Sequence, residues 1–398
     1  MASLPLEGVK ILDLSRQLPG PVATRLLADF GADVIKIEDV QKGDDFRSTE
    51  PKINGVAARH LELNRNKRGL SLNLKSDQGK EIFLRLAHQA DVVLEQFRPG
   101  VVQRLGIDYE AVKAVNPKIV YCSLSGFGQD GPYRNLVAHD PNYLSLSGVL
   151  GLIGSRGGPP AMTGPQLADM AAANFVTIGI LLALRNKEIN GVGEYVDISL
   201  FDSAFSLPLT ALTTYLASGQ APSRGSERHN GKYPWADIYA TKDGQYVSVA
   251  AIEGHFYRNL CTALGREDWV DLQYADDTTQ ERIRSEMKKI FAGRTRDEWF
   301  FLMRDKDVCV APVLSIEEAV ASEQVLSRGN IVEHEHPVAG RMRLLTTPIR
   351  MTSGRPPIRC GAPDLGEHGA ELLAGLGYSN QQINEFCAKG VLRIPEKS

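Results

Sequence analysis

The sequence predicts an α/β fold: a large doubly wound, Rossmann-like parallel-sheet domain accompanied by a smaller α+β domain. Three observations lead there. Over the first 125 residues, short Val/Ile/Leu-rich runs alternate with helix-patterned stretches, which is the signature of βαβ units. Beyond about residue 215 that alternation stops and the composition changes. A length of 398 residues gives room for two domains or one domain with a large insertion.

The elements follow in order. VKILDLS (9–15) reads as a strand, and PGPVATRLLADFG (19–31) as a helix with Pro near its start and Gly at its stop. ADVIKIE (32–38) is a second strand. LSLNLKS (70–76), with leucine at alternate positions, is a third. DQGKEIFLRLAHQA (77–90) is a helix behind an Asp cap, DVVLEQF (91–97) a strand, VVQRLGIDYEAVKAVNP a continuing helix, and KIVYCSLS (118–125) closes the series. A long apolar helix is predicted over roughly 168–187. SGQAPSRGSERHNGKYP (218–234) reads as a connection, and 333–358 carries strand signals. The stretch ending in GVL is predicted as two helices. The domains expected are 1–215 (large), 216–330 (small) and 331–398 (returning to the large one).

Composition narrows the function classes. An apolar content of 43% and a charged content of 23% are those of an ordinary globular protein. A net charge of −3 gives no electrostatic basis for binding nucleic acid. Five scattered cysteines with no C-x-x-C predict neither a metal site nor a disulfide framework and fit a reducing, cytoplasmic location. The start MASLPLEGVKILDLS shows no signal-peptide pattern, and FVTIGILLALR (175–185) is too short to span a bilayer.

GFGQDG (126–131) follows a predicted strand with the G-x-G-x-x-G spacing of a dinucleotide turn. The context fails, because Pro132 and polar residues follow Gly131 and no acid stands near 150. The glycines then serve to turn, or to let backbone approach another ligand beyond a strand's carboxyl end. No G-x-S-x-G, Walker or H-E-x-x-H pattern occurs. Three polar clusters remain: His139-Asp140, Asp169 at the start of the apolar helix, and Glu253 with His255. Spacing alone reads them equally as a turn, a helix N-terminal acid and a strand-end cap.

A collinear series of stretches is more specific. LPLEGVKILDLS, LLADFGADVIKIE, NRNKRGLSLNLKSDQGKE, ADVVLEQFRPGVVQRLGIDYE, NPKIVYCSLSGFGQDGPY, AHDPNYLSLSG, QLADM and GVGEYVDISLFD resemble the family III CoA-transferases. That superfamily includes formyl-CoA transferase, carnitine CoA-transferase and α-methylacyl-CoA racemase. The resemblance implies an acyl-CoA thioester and a carboxylic acid as substrates, no permanently bound cofactor or metal, no nucleic-acid or membrane partner, and an interlocked homodimer.

It also implies roles for residues. In transferases the aspartate matching Asp169 attacks the donor thioester to form an aspartyl anhydride. In racemases the same aspartate is one base of a pair, with a histidine matching His139 and a glutamate matching Glu253. Against the racemase, Pro165 stands where racemases carry Asn, and Ala171, Ala172 and Ala173 where they carry glycine. The G-G-G loop of oxalate-type transferases has no counterpart in RGSERHNGKYP, which argues against formyl-CoA:oxalate specificity. The transferase is therefore the expected activity and the racemase its alternative. A non-catalytic acyl-CoA-binding protein on the same fold is a third reading, against which the joint presence of Asp169, His139 and Glu253 speaks. CoA is expected at Arg16, Leu72, Lys75, Gln96, Phe97 and Arg104: a planar ring for adenine and cations for phosphates. Asp39 stands where relatives often carry a phosphate-binding Arg, with Lys42 or Arg47 as substitutes.

Overall fold

The computed structural model describes residues 3–395. It divides into two compact units. The first comprises the chain through Ser147, Pro165–Leu207 and Leu326 onward; the second comprises Gly148–Gly164 and Pro208–Val325. The expected boundary at 215 thus lies at Leu207, and 148–164 belongs to the second unit. The reason is a long-range contact: the Nη1 and Nε of Arg224 donate to the Gly151 and Gly158 carbonyls (2.7 and 2.8 Å). Sequence proximity to the sheet does not decide where that stretch packs.

The first unit is the α/β domain. In spatial order its sheet runs Leu392–Arg393, Lys67–Leu72, Asp33–Glu38, Lys10–Leu14, Val92–Glu95, Val120–Ser125 and Glu194–Ser199. All neighbours pair in parallel except Leu392–Arg393, which is antiparallel to Lys67–Leu72. The central strands are buried along their length, because helices cover both faces and leave no solvated side for alternation to mark. This explains one difference from expectation. The third strand is Lys67–Leu72, not 70–76. Asn73–Ser76 forms a turn in which Asn73 accepts from the Lys75 and Ser76 amides.

Helix starts and stops follow side-chain chemistry. Ser76, not Asp77, caps Asp77–His88, accepting from Gly79 N at 3.0 Å. The continuous helix expected near 101–117 is two, Val101–Leu105 and Tyr109–Val115. Gly106 ends the first with φ +66°, and Asp108 starts the second by accepting from the Glu110 and Ala111 amides. The C-terminal segment does give two helices, Gly369–Gly375 and Asn380–Ala388, plus the unforeseen edge strand.

The apolar helix is Leu167–Asn190, long and apolar enough by length and composition to cross a bilayer, unlike the eleven-residue stretch considered alone. It packs on Pro19–Asp29, Leu200–Phe205 and the Val120–Ser125 and Glu194–Ser199 strands. Ala171, Ala172, Ala173, Val176, Ile180 and Ala183 form its buried face, while Phe175, Ile178 and Leu182 are exposed. Small residues on the packed side bring its backbone close to the sheet.

The second unit is α+β. A three-stranded antiparallel sheet, ordered Val310–Pro312, Tyr246–Ala250, Ala236–Ala240, packs with helices around Trp235, Tyr239, Trp269, Phe291 and Trp299.

Beneath the first unit's core lies a buried ion pair, Lys67 Nζ to Asp13 Oδ2 at 3.1 Å, with both side chains fully enclosed. The Asp13→Ala substitution strands the Lys67 ammonium. It is expected to destabilise the first unit by about 3–5 kcal/mol, read as a lower denaturant midpoint; an unchanged midpoint would show that the pair carries no stability.

Candidate active site

In an open parallel sheet the loops beyond the carboxyl ends of the strands meet at one edge, where ligands bind. Here those loops enclose a cavity of about 570 Å³, lined by Arg16, Phe97, Ser125, His139, Tyr143 and Asp169 among others, all in the first unit. The loop after Lys10–Leu14 supplies Arg16, the loop after Val92–Glu95 supplies Gln96 and Phe97, and Ser125 ends its strand.

Asp169 stands in the first turn of Leu167–Asn190. Gln166, at the N-cap position, makes no side-chain bond to the helix start. Asp140 does so from a neighbouring helix: its buried Oδ2 accepts from Ala168 N (2.7 Å) and Asp169 N (3.1 Å). The helix start is thereby satisfied, and the Asp169 carboxylate is left with no hydrogen-bond partner among the described residues. Burial first, and the Asp140 charge second, push its pKa up to about 6. The group is then a desolvated carboxylate that still ionises near neutrality, suited to act as nucleophile or base.

His139 is the N-cap residue of Asp140–Leu146, and its backbone N–H donates to Asn142 Oδ1 at 3.0 Å. Its ring lines the cavity. Glu253 is exposed at the N-cap of Gly254–Ala263 in the second unit. Within the first unit, the cavity gathers His139 and Asp169.

The nucleotide residues divide likewise. Arg16, Gln96 and Phe97 line the cavity, with the Arg16 guanidinium 5.9 Å from the Phe97 ring centre. The backbone at Phe97 is held by Glu95, whose Oε2 accepts from the Phe97 amide at 2.7 Å. Lys75 and Arg104 are exposed outside the cavity, in segments that also follow carboxyl strand ends. Leu72 is a core residue, 1% exposed, its side chain packed in the hydrophobic cluster of the sheet and its backbone paired with the edge strand at 392–393. Arg47 is no free phosphate ligand either: it forms a two-pronged pair with Glu38 (2.8 and 2.6 Å) and donates to the Pro363 carbonyl. Lys42 is largely exposed and paired with Asp45 at 2.7 Å. Asp39 accepts from the Gln41 and Lys42 amides, a turn-forming role.

Sequence reading missed three further lining groups: Ser125, Arg98 and Arg134. Neither arginine forms an ion pair among the described residues. Their positions just past strand ends are the signal that would have found Arg98 and Ser125. The glycine turn opens no helix at Gly131; the next begins at Asp140. Gly126 instead leaves room for Tyr143, whose hydroxyl lies 2.7 Å from where a Cβ would stand. Among the described residues no cluster of three His, Cys, Asp or Glu could hold a metal.

A doubly wound sheet with a half-buried aspartate, a histidine and arginines around one cavity beyond its strand ends has the form of an α/β enzyme site. The comparisons with known proteins identify the family. The model of CoA-transferase family III matches residues 6–369. The chain is 32% identical to succinyl-CoA:glutarate CoA-transferase of Homo sapiens (98% of this chain, 90% of the relative). It is 34% identical to alpha-methylacyl-CoA racemase of Homo sapiens (96% of each chain). A crystal structure of a CAIB/BAIF family protein from Brucella suis superposes with a TM-score of 0.81 at 29% identity, over 94% of this chain and all of that one. The chain belongs to CoA-transferase family III.

The Asp140→Asn substitution keeps an acceptor for the two helix amides and removes the charge. The Asp169 pKa is expected to fall from about 6 toward its ordinary value of 3.8, read by carboxyl-¹³C titration; a static titration would remove Asp140 from the electrostatics of Asp169. Asp140→Ala also loses the cap, at about 0.5–2 kcal/mol.

Proposed function

We propose that this chain is a CoA-transferase that moves CoA between carboxylic acids through an acyl anhydride on Asp169. The observation that carries the reading is the Asp169 carboxylate: it lines the cavity, has no hydrogen-bond partner among the described residues, and is desolvated enough to raise its pKa to about 6. A carboxylate oxygen attacks the thioester carbon and CoA leaves as thiolate. The thiolate attacks the aspartyl carbonyl of the anhydride, releasing the donor acid and leaving an Asp169–CoA thioester. The acceptor carboxylate attacks that thioester and expels the thiolate. The thiolate then attacks the acceptor carbonyl of the new anhydride, freeing Asp169 and the acceptor's CoA thioester. A carboxylate suits this because its acylated form is itself activated.

A racemase is the second reading, favoured by His139 and Asp169 lining one cavity. There each would exchange a proton with one face of the α-carbon. Against it, the His139 ring has no carboxylate partner among the described residues, and Pro165 and Ala171, Ala172 and Ala173 stand where racemases carry Asn and glycine. CoA would lie with its thioester toward Asp169, its adenine on Phe97 and its phosphates by Arg16, Lys75 and Arg104. A homodimer and a cytoplasmic location belong to the same proposal. The exposed apolar face of Leu167–Asn190 supports the first and five unpaired cysteines the second.

Incubation with an acyl-CoA donor, without acceptor, is expected to leave an adduct that hydroxylamine converts to a hydroxamate on the Asp169 peptide. Asp169→Ala should abolish it while still binding CoA. Rapid α-deuteration of a 2-methylacyl-CoA in D₂O, abolished by His139→Ala and with no adduct, would instead establish the racemase. Lys75→Ala and Arg104→Ala are expected to raise KM for acyl-CoA with little effect on kcat, because remote contacts bind ground and transition states alike; unchanged KM in both would place the nucleotide elsewhere.

A further inference from the structure

Ser125 is the last residue of the Val120–Ser125 strand and is 5% exposed, yet its hydroxyl has no hydrogen-bond partner among the described residues. Buried hydroxyls are almost always paired, because an unpaired one loses water and gains nothing. The contrast within the strand is direct. Ser123 lies on the same face two residues earlier, and its Oγ accepts from the Tyr195 hydroxyl at 3.0 Å. The nearby Tyr143 hydroxyl, beside Gly126, is turned to the Ala138 carbonyl, to which it donates at 3.1 Å, and makes no bond to Ser125. The Gln96 side-chain oxygen is a second buried polar atom without a partner among the described residues. It follows the Val92–Glu95 strand, which is the neighbour of the strand that Ser125 ends. Both line the cavity that Asp169 lines. The cavity wall therefore holds an unpaired donor and an unpaired acceptor.

An acyl-CoA supplies both complements: a thioester oxygen to accept and the amide N–H of its pantetheine arm to donate. We propose that Ser125 is a catalytic residue whose hydroxyl donates a hydrogen bond to the acyl thioester oxygen. The inference rests on the acyl-CoA reading of the site, but not on which of the two reactions occurs there. When an Asp169 oxygen bonds to the carbonyl carbon, the C=O π electrons move onto that oxygen. They return as the C–S bond breaks and its electrons leave on the thiolate. When a base instead removes the α-proton, the C–H electrons create an enolate on the same oxygen. In both cases the Ser125 O–H bond stays intact and its hydrogen bond strengthens as charge develops.

The test is single-turnover acylation of the full-length protein by acyl-CoA with a hydroxylamine quench, beside calorimetric binding of CoA. Ser125→Ala is expected to lower the acylation rate by about 10²–10³-fold, the usual loss for one oxyanion donor. CoA affinity and the KM of the acceptor acid should stay unchanged. Ser125→Thr, which keeps a hydroxyl, is expected to recover most of the rate, and Ser125→Cys to resemble Ala. Should the protein prove a racemase, Ser125→Ala is expected to slow α-deuteration by a similar factor, so failure of the transferase reading leaves this inference standing. A Ser125→Ala rate within about twofold of the native protein in whichever reaction occurs would overturn it. So would an effect confined to the acceptor-acid KM, which would place the hydroxyl on the acid.

Discussion

The buried Asp13 carboxylate ties together the elements on which the site is built. One oxygen accepts from the Ser15 amide and hydroxyl; the other accepts from Thr24 Oγ1 (2.6 Å) and Lys67 Nζ (3.1 Å). It thus joins the end of the first strand, the following loop, the first helix and a strand two places away. A second pair continues the lattice: Lys36 Nζ reaches Asp44 (3.0 Å) and the Ser15 carbonyl (3.1 Å), and Asp44 accepts from the Gln17 amide. Gln17 is held at φ +62°, a left-handed conformation that a non-glycine residue adopts only when its surroundings impose it. The residues so fixed, Arg16 to Pro19, form one wall of the cavity. Ions in an apolar core are a poor source of net stability but a strong source of unique geometry where every polar atom is paired.

The same logic of satisfied neighbours and one unsatisfied group governs Asp169. A carboxylate in the first turn of a helix is normally drawn toward the free amides and held ionised. Here Asp140 occupies two of those amides. The helix start therefore gives Asp169 less stabilisation than its position suggests, and burial and like charge prevail, raising the pKa. What the protein withholds from the resting carboxylate as hydrogen bonds remains available as reactivity.

Much of the sheet was legible because βαβ patterning is local: each strand is a short apolar run and each helix is punctuated by its cap or glycine. Errors arose where a long-range contact decided. The strand at 392–393 is two residues long and exists only through pairing with Lys67–Leu72. Leu72 becomes core for that reason, and no local pattern announces it. Residues 148–164 join the second unit through Arg224, more than sixty residues away in sequence. At the site, Asp169 and His139 were legible as members of a family pattern, not from spacing. Arg47 looked available in sequence and is occupied by Glu38 in three dimensions. The Asp140 cap was invisible, since the two residues it holds lie 28 and 29 positions on.

Acyl transfer and α-proton exchange differ in which carbon meets the aspartate, not in the groups the cavity must contain. Both need a nucleotide grip that leaves the acyl end free to be positioned, a carboxylate poised to ionise near neutrality, and a donor where the thioester oxygen gains charge. Moving the thioester by about one C–C bond would exchange the carbonyl carbon for the α-carbon before Asp169, a change within reach of modest side-chain substitutions in the acyl pocket. That proximity gives a physical reason for one fold to serve relatives with either activity. The lattice around Asp13 fixes the wall at Arg16 to Pro19, so a rigid wall faces a pocket whose other side chains are free to vary.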